Sequence, residues 1–376
     1  MYPKVRFRGF DEPWKNKKFL TFSSKITKNS TSDDIDFPRI EFENIVSGEG
    51  KLAQNRSKLN HIKSGIKFDK GDILFGKLRP YLKNWWLAEF PGVAVGDFWV
   101  IRAKDNRYFL YYLIQAPLFE KVSNYTTGTK MPRSDWNYVS NTFFKLPKID
   151  EQEKIGRILD KVDSLLSLQQ RKLELISALE KGLGQIIKQQ NNKYGITFSL
   201  NNFLEIPPQI QARIKNKNQL LTVKLNLQGI ARGVQRDTLS LGSTKYFIRH
   251  TGELIFGKQN IFNGSIALIT KEFDGLATSN DVPSLKISNI NPQFLFYLLK
   301  NPDFWKHTEL IATGTGSKRV HIHDLLKLHI KIIPDAKYQA KIVSLSRNFE
   351  KIVLNQQIIV KECEKTKQFL LQNLFI

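Results

Sequence analysis

Few side chains in this 376-residue chain are spaced for catalysis. The run His321-Ile-His323-Asp324 puts two imidazoles and a carboxylate together, the start of a metal or nuclease site, but no third spaced ligand follows. Asp281 with Lys286 is an isolated fragment of a magnesium-nuclease pattern, which needs several converging carboxylates. No G-x-x-x-x-G-K-[ST] phosphate loop is present, and no G-x-G-x-x-G follows a strand. The single cysteine, Cys363, rules out a disulfide framework and a four-cysteine zinc site. Ile206-Pro-Pro-Gln209 and Asn301-Pro-Asp-Phe304 both fail the Asn/Asp-Pro-Pro-aromatic motif of amino-methyltransferases. The expectation is a non-catalytic chain that binds no metal or cofactor of its own.

Binding chemistry is better represented. After the apolar run ending at Gly76 comes Lys77-Leu-Arg79-Pro-Tyr81-Leu-Lys83-Asn84-Trp85-Trp86, a loop mixing cations, an amide and aromatics. Lys and Arg suit phosphates, while Arg, Lys, Asn and Gln can make bidentate contacts with base edges. A matching loop, Lys258-Gln259-Asn260-Ile-Phe-Asn263, opens alike and then diverges in its polar groups, as two readers of different sequences would. A second pair of loops is Thr127-Gly-Thr-Lys130-Met-Pro-Arg133 and Thr313-Gly-Thr-Gly-Ser-Lys318-Arg319, where glycine permits a turn that presents N–H groups and basic tips. Lys77, Arg79, Lys83, Asn84, Lys130, Arg133, Lys258, Gln259, Asn260, Lys318 and Arg319 are therefore the expected DNA-contacting residues.

Charge agrees with a polyanionic partner. Lys plus Arg outnumber Asp plus Glu by 58 to 35, a net charge of +23. The surplus is +10 over residues 1–150 and +8 over 191–336, but only +1 over 151–190 and +4 over 337–376. A basic membrane-surface helix would concentrate it in the helical segments instead. No run of about 18 apolar residues occurs, so no membrane partner is expected, and an N-terminus without a signal-length apolar run points to a cytoplasmic location.

The elements that position these loops are written twice. Gly71-Asp-Ile-Leu-Phe-Gly-Lys77 matches Gly252-Glu-Leu-Ile-Phe-Gly-Lys258 at an offset of 181, and Thr127-Gly-Thr129 matches Thr313-Gly-Thr315 at 186. Each half opens with a mixed block in which short apolar runs, such as Ile73–Phe75, Val93–Val95 and Phe98–Ile101, alternate with Gly, Pro and Asn turns. One short helix is expected over 107–125 and its counterpart over 292–310. A long helix closes each half. The first has the apolar stripe Ile155, Ile158, Val162, Leu165, Gln169, Ile176, Leu179, Leu183 and Ile186. The second has Ile342, Leu345, Phe349, Ile352, Gln356, Ile359, Cys363, Thr366 and Leu370. Gln169 and Gln356 fall at equivalent seam positions, where a polar residue fixes register. Two such helices can bury their stripes against each other. The fold class expected is α+β: two globular mixed α/β domains, residues 1–149 and 191–336, joined by antiparallel coiled-coil helices over 150–190 and 337–376, in a pseudo-twofold internal repeat.

Taken together, these features resemble the specificity subunit of type I restriction-modification systems. The likeness rests on Gly71-Asp-Ile-Leu-Phe75, the Thr-Gly-Thr turn, Leu146-Pro followed by Glu151-Gln-Glu-Lys-Ile155, and the opening Tyr2-Pro-Lys-Val-Arg-Phe-Arg-Gly-Phe10 with Trp14. It implies that each block is a target recognition domain reading one half of a bipartite, asymmetric duplex DNA site, with the helices as spacer. It also implies partners: two adenine methyltransferase (modification) subunits that bind S-adenosylmethionine, and restriction subunits that use ATP and Mg. The sequence departs from the family pattern at Glu253, where Asp is usual, at Gly316 opposite Lys130, and at Pro334-Asp-Ala-Lys337, a poorer helix start. The alternative is a basic coiled-coil nucleic-acid-binding adaptor outside restriction-modification.

Overall fold

The runs Ile73-Leu-Phe75 and Phe98-Trp-Val-Ile101 are continuous rather than alternating, the pattern of strands covered on both faces. The structure, a computed structural model, describes residues 2–31, 36–53, 63–127, 131–234 and 244–375. The chain divides into two units, Met1–Lys172 with Gln357–Ile376, and Leu173–Gln356. Both boundaries fall inside the long helices, so each unit comprises a globular block together with part of each helix.

In the first unit a four-stranded antiparallel sheet has the order Ser23–Ile26, Phe98–Ala103, Ile73–Gly76, Trp85–Leu87. Successive side chains point to opposite faces. Ile73, Phe75, Trp99 and Ile101 pack with Phe19, Phe109 and Leu113, whereas Leu74, Trp86, Phe98 and Val100 pack with Ile40, Phe68 and Ala94. The block is closed by pairing its ends, Lys15–Lys18 against Phe143–Leu146, just before the first long helix. The second unit repeats the plan. Its sheet has the order Leu204–Glu205, Ser284–Ile287, Leu254–Phe256, Ile266–Leu268, and Ile196–Ser199 pairs with His329–Ile332 to close it. Even a parallel pairing recurs, as the strand pair that puts Ile40 beside Ala94 in one unit and as a single bridge of Leu220 to Ala277 in the other.

The Gly-Asp/Glu motif has a structural task. Gly71 and Gly252 have φ of 94° and 85°, which favours glycine. The next carboxylate accepts a hydrogen bond from the backbone N–H three residues back, Asp72 from Asp69 at 2.8 Å and Glu253 from His250 at 3.0 Å. The Glu253 departure thus keeps the turn.

Each expected short helix is in fact two. Arg107–Gln115 is followed by Pro117–Ser123, and Pro292–Leu299 by Pro302–His307 and a 3₁₀ turn, Thr308–Ile311. Proline excludes the helical region for the residue before it, and Ala116 accordingly has ψ 148°. A new helix then starts with the proline at its first turn.

The long helices span Ile149–Tyr194 and Ala336–Asn373. In the first unit Ile155 and Leu159 share a core with Leu374 and Phe375, and Asp163 pairs with Lys367 at 2.8 Å. In the second unit Ile187 shares a core with Ile342 and Val343. The start of one helix meets the end of the other, so they run antiparallel in each unit. The expected seam positions Ile155, Val162, Gln169, Ile176 and Leu183, and Ile342, Phe349, Gln356, Cys363 and Leu370, are all buried or half-buried. The second row of the stripe needs correction. Leu165, Leu179 and Ile186 are 46%, 63% and 56% exposed, as is Ile352 at 48%. The row that turns inward lies one residue on: Leu159, Leu166, Leu173, Glu180 and Ile187, with counterparts Ser346, Val353, Val360, Lys367 and Leu374. Adjacent apolar pairs such as Leu165-Leu166 offer both phases, and Glu180, Ser346 and Lys367 disguise the true one.

Candidate nucleic-acid interface

The two basic loops of the first block are built onto one another. Gly76 ends a strand, and Lys77 donates its backbone N–H to the Asp97 carbonyl at 2.9 Å. Ser134 donates to the Lys77 carbonyl at 2.9 Å and Arg79 to the Pro132 carbonyl at 2.8 Å. The strand-end loop and the turn after the Thr-Gly-Thr segment therefore form one surface. The second block does the same: Lys258 donates to Asp281 at 2.9 Å, and Val320 donates to Lys258 at 2.8 Å. The frame is a backbone frame, which leaves side chains free to differ.

Side chains gather around one carboxylate in each frame. Arg133 lies along Asp97, Nε to Oδ1 at 3.3 Å and Nη2 to Oδ2 at 3.0 Å, and Lys77 Nζ is 3.6 Å from Asp97 Oδ1. The Arg133 guanidinium holds the Asp97 carboxyl below its ordinary value, partial burial opposing it. In the second frame Arg319 Nη2 is 3.7 Å from Asp281 Oδ2, and the Gln259 amide, assigned with its oxygen toward the guanidinium, accepts from Arg319 Nε at 3.1 Å and Nη2 at 2.8 Å. Asp97 and Asp281 were not among the expected residues. Their own offset of 184 lies between those of the flanking loops, a signal that an acidic residue masks when only basic ones are sought.

The other expected residues divide. Arg79 is exposed, holds φ 48°, and has no ion pair among the described residues. Asn260 is exposed and its side chain accepts from Asn263 at 3.2 Å. Lys318 pairs with Glu309 at 2.8 Å, both half exposed, so water screens the pair. Lys83 is neutralised by Glu120 at 2.9 Å. Asn84 is a correction: it is 4% exposed, its Oδ1 accepts from the Ser47 hydroxyl at 2.7 Å and its amide faces the Phe42 carbonyl, so it serves the fold and not a ligand. It sits one residue before a strand, where the next alternating position turns inward. Lys130 lies outside the described residues. Exposed aromatics stand in the same block: Tyr81 is on the loop, and Tyr125 stacks on Tyr138 with centroids 4.1 Å apart.

The frame, the doubled blocks and the helices have a known counterpart. Residues 14–178 match the type I restriction modification DNA specificity domain. The chain is 21% identical over 298 residues to the type I restriction enzyme MjaVIII specificity subunit of Methanocaldococcus jannaschii, covering 70% of this chain and 68% of that protein. It is 26% identical over 121 residues to the type I restriction enzyme EcoDI specificity subunit of Escherichia coli, 31% of this chain and 27% of that one. The crystal structure of a type I restriction-modification S subunit from M. genitalium superposes over 100% of this chain and 99% of its own, with TM-score 0.64 and 12% identity. Residues 14–178 thus carry a type I restriction modification DNA specificity domain. A second solved chain, from work on complex assembly of a type I system, covers 97% of this chain and 98% of itself at TM-score 0.52 and 17% identity. These structural likenesses are of fold. The match on 14–178 includes the first frame, and the second frame repeats two of its backbone bonds, while Asn260, at the place of Arg79, donates to the Gly257 carbonyl instead.

Two of the motifs on which the resemblance rests gain a structural reason. Glu151, in Glu151-Gln-Glu-Lys-Ile155, is 1% exposed and receives Arg6 Nε at 2.8 Å and Nη2 at 2.9 Å. The Tyr2–Phe10 opening is thereby tied to the start of the first long helix, and Val5 donates to the Asn373 carbonyl near the end of the second at 3.1 Å.

Proposed function

We propose that this chain is the sequence-specific DNA-recognition subunit of a type I restriction-modification complex, each block reading one half of a bipartite duplex site. The observation that carries this reading is a backbone frame that recurs in both blocks with different side chains on it: Leu78 in one occupies the place of Gln259 in the other, where Gln259 lies along Arg319. A shared frame with divergent tips is what two readers of different sequences on one duplex require. The positive surplus of both blocks supplies sequence-independent attraction to phosphate. The helices act as the spacer between half-sites and as the platform for two methyltransferase subunits. Exposed apolar side chains support that docking: Leu165 and Leu168 in the first unit, Leu175, Leu179 and Ile186 in the second, all on the first helix and outside the antiparallel seam. On this reading S-adenosylmethionine, ATP and Mg belong to the modification and restriction partners.

The test is modified-base sequencing of DNA from cells carrying the chain with its modification subunit, with and without this gene. The expected result is a methylated-adenine motif of two short half-sites around a fixed unspecified gap, lost on deletion. Methylation that persists unchanged without the gene, in cells where the modification subunit is active, overturns the assignment.

A further inference from the structure

The Arg–Asp pairs at the two frames bear on which partner those arginines suit. A phosphate contact gains from an uncompensated cation that releases counterions. Asp97 offsets one of the two charges that Arg133 and Lys77 bring to it, and a carboxylate beside the guanidinium repels a phosphate. A base edge is uncharged and incurs no such repulsion. Geometry adds a second argument. In the first frame the Nε–Nη2 edge of Arg133 is occupied by Asp97; in the second the same edge of Arg319 is occupied by Gln259 Oε1, with Asp281 beyond it. In both, Nη1 has no partner among the described residues, so the end of the fork formed by Nη1 and Nη2 is what each block offers. Two parallel N–H donors held in a plane match the O6 and N7 acceptors of guanine in the major groove. Both arginines remain about half exposed, at 47% and 44% of the side chain, so a ligand can reach them.

Resting on the reading above, we infer that Arg133 and Arg319 each read a guanine, one in each half-site, with Asp97 in one block and Gln259 with Asp281 in the other as positioning residues that fix the fork. Both copies keep the carboxylate beside the arginine, and in the second an amide from the adjacent loop lies along the same edge. Bracing lowers the side-chain entropy lost on binding and sharpens geometry. It also explains why the neutralising carboxylates occur at the centre of strongly basic blocks. Arg79, exposed and without a carboxylate among the described residues, belongs to the other class, a phosphate contact.

The test uses the full chain co-expressed with its modification subunit and reads the methylated motif genome-wide and the initial methylation rate on duplexes with single base-pair changes. A wild-type complex that yields no bipartite motif would defeat the function proposed above and not this inference. Given a wild-type motif, each half should contain a required G·C pair. Arg133→Ala should relax that pair in one half-site by about 5- to 150-fold in discrimination, the range for a bidentate base contact, and leave the other half-site unchanged. Arg319→Ala should do the reverse. The untouched half-site in the same protein reports that the complex has folded. Asp97→Asn, which keeps size and one acceptor, should relax the same pair as Arg133→Ala but by less, while Arg79→Ala should slow all sequences alike and reduce the salt slope by about one contact. A half-site without any required G·C pair, or an Arg133→Ala effect equal across all sequences, overturns the inference. So does an Asp97→Asn complex with undiminished discrimination.

Discussion

Replacing Glu151 by alanine removes the anchor that ties the N-terminal segment to the first long helix, and the structure sets the size of the loss. The Glu151 side chain is 2% exposed and that of Arg6 14%. Two charge-assisted bonds disappear together, leaving Arg6 with only the Glu12 carbonyl at 2.7 Å. Arg6 Nη1 already lacks a partner among the described residues. Breaking a buried pair by deleting one member costs about 3–5 kcal/mol, and the residual water access of Arg6 places the value near the lower limit, about 3 kcal/mol. For a unit of this size that corresponds to a fall of about 6–12 °C in the melting temperature of its transition. The assay is calorimetry and urea unfolding of Glu151→Ala, followed by a double-mutant cycle of Glu151→Leu and Arg6→Met singly and together. Each single change should be strongly destabilising, because each leaves a buried charge unpaired. The double change should recover most of the loss, because two apolar side chains then pack without charge. Strictly additive losses, or a Glu151→Ala cost below about 0.5 kcal/mol, the size of an ordinary surface substitution, would refute the reasoning and make the pair incidental to the fold.

Two further outcomes are expected. Leu159→Ala, at a position 0% exposed, should destabilise the first unit by about 3 kcal/mol in urea unfolding, whereas Leu165→Ala should change stability by less than about 0.5 kcal/mol while weakening co-purification with a modification subunit. Equal losses from both would contradict the seam phase. The Asp97 carboxyl is held low by Arg133, so its contribution is fully present above the unfolded carboxylate value of about 4 and is lost as pH falls through the lower folded value. The stability difference between wild type and Asp97→Asn should therefore stay level from pH 7 to about pH 5 and vanish only below pH 4; a difference that fades between pH 7 and 5 would contradict it.

The departures from the sequence reading share a cause. Asn84 reads as a loop amide because its neighbours are Lys83 and a strand of aromatics, yet its partners Ser47 and Phe42 are 37 and 42 residues away. Asp97 and Arg133, 36 residues apart, meet because two loops are zipped by backbone bonds. Ala116 breaks an apolar stretch that reads as one helix, for a local reason that Pro117 announces.

By itself the sequence determined the doubling of the chain, the two long helices, the short strands between turns, the placement of basic loops at strand ends, and the family likeness. All of these rest on periodicity, spacing and local backbone preference, which act over a few residues or repeat in register. Only the tertiary structure decided which of two adjacent leucine rows turns inward, which loop amide is buried, and which arginines carry a carboxylate or an amide along one edge. Those depend on distant segments meeting. A heptad pattern with leucines at neighbouring positions stabilises either phase until a partner selects one, and an acidic residue among lysines acquires its meaning only when the fold brings an arginine to it.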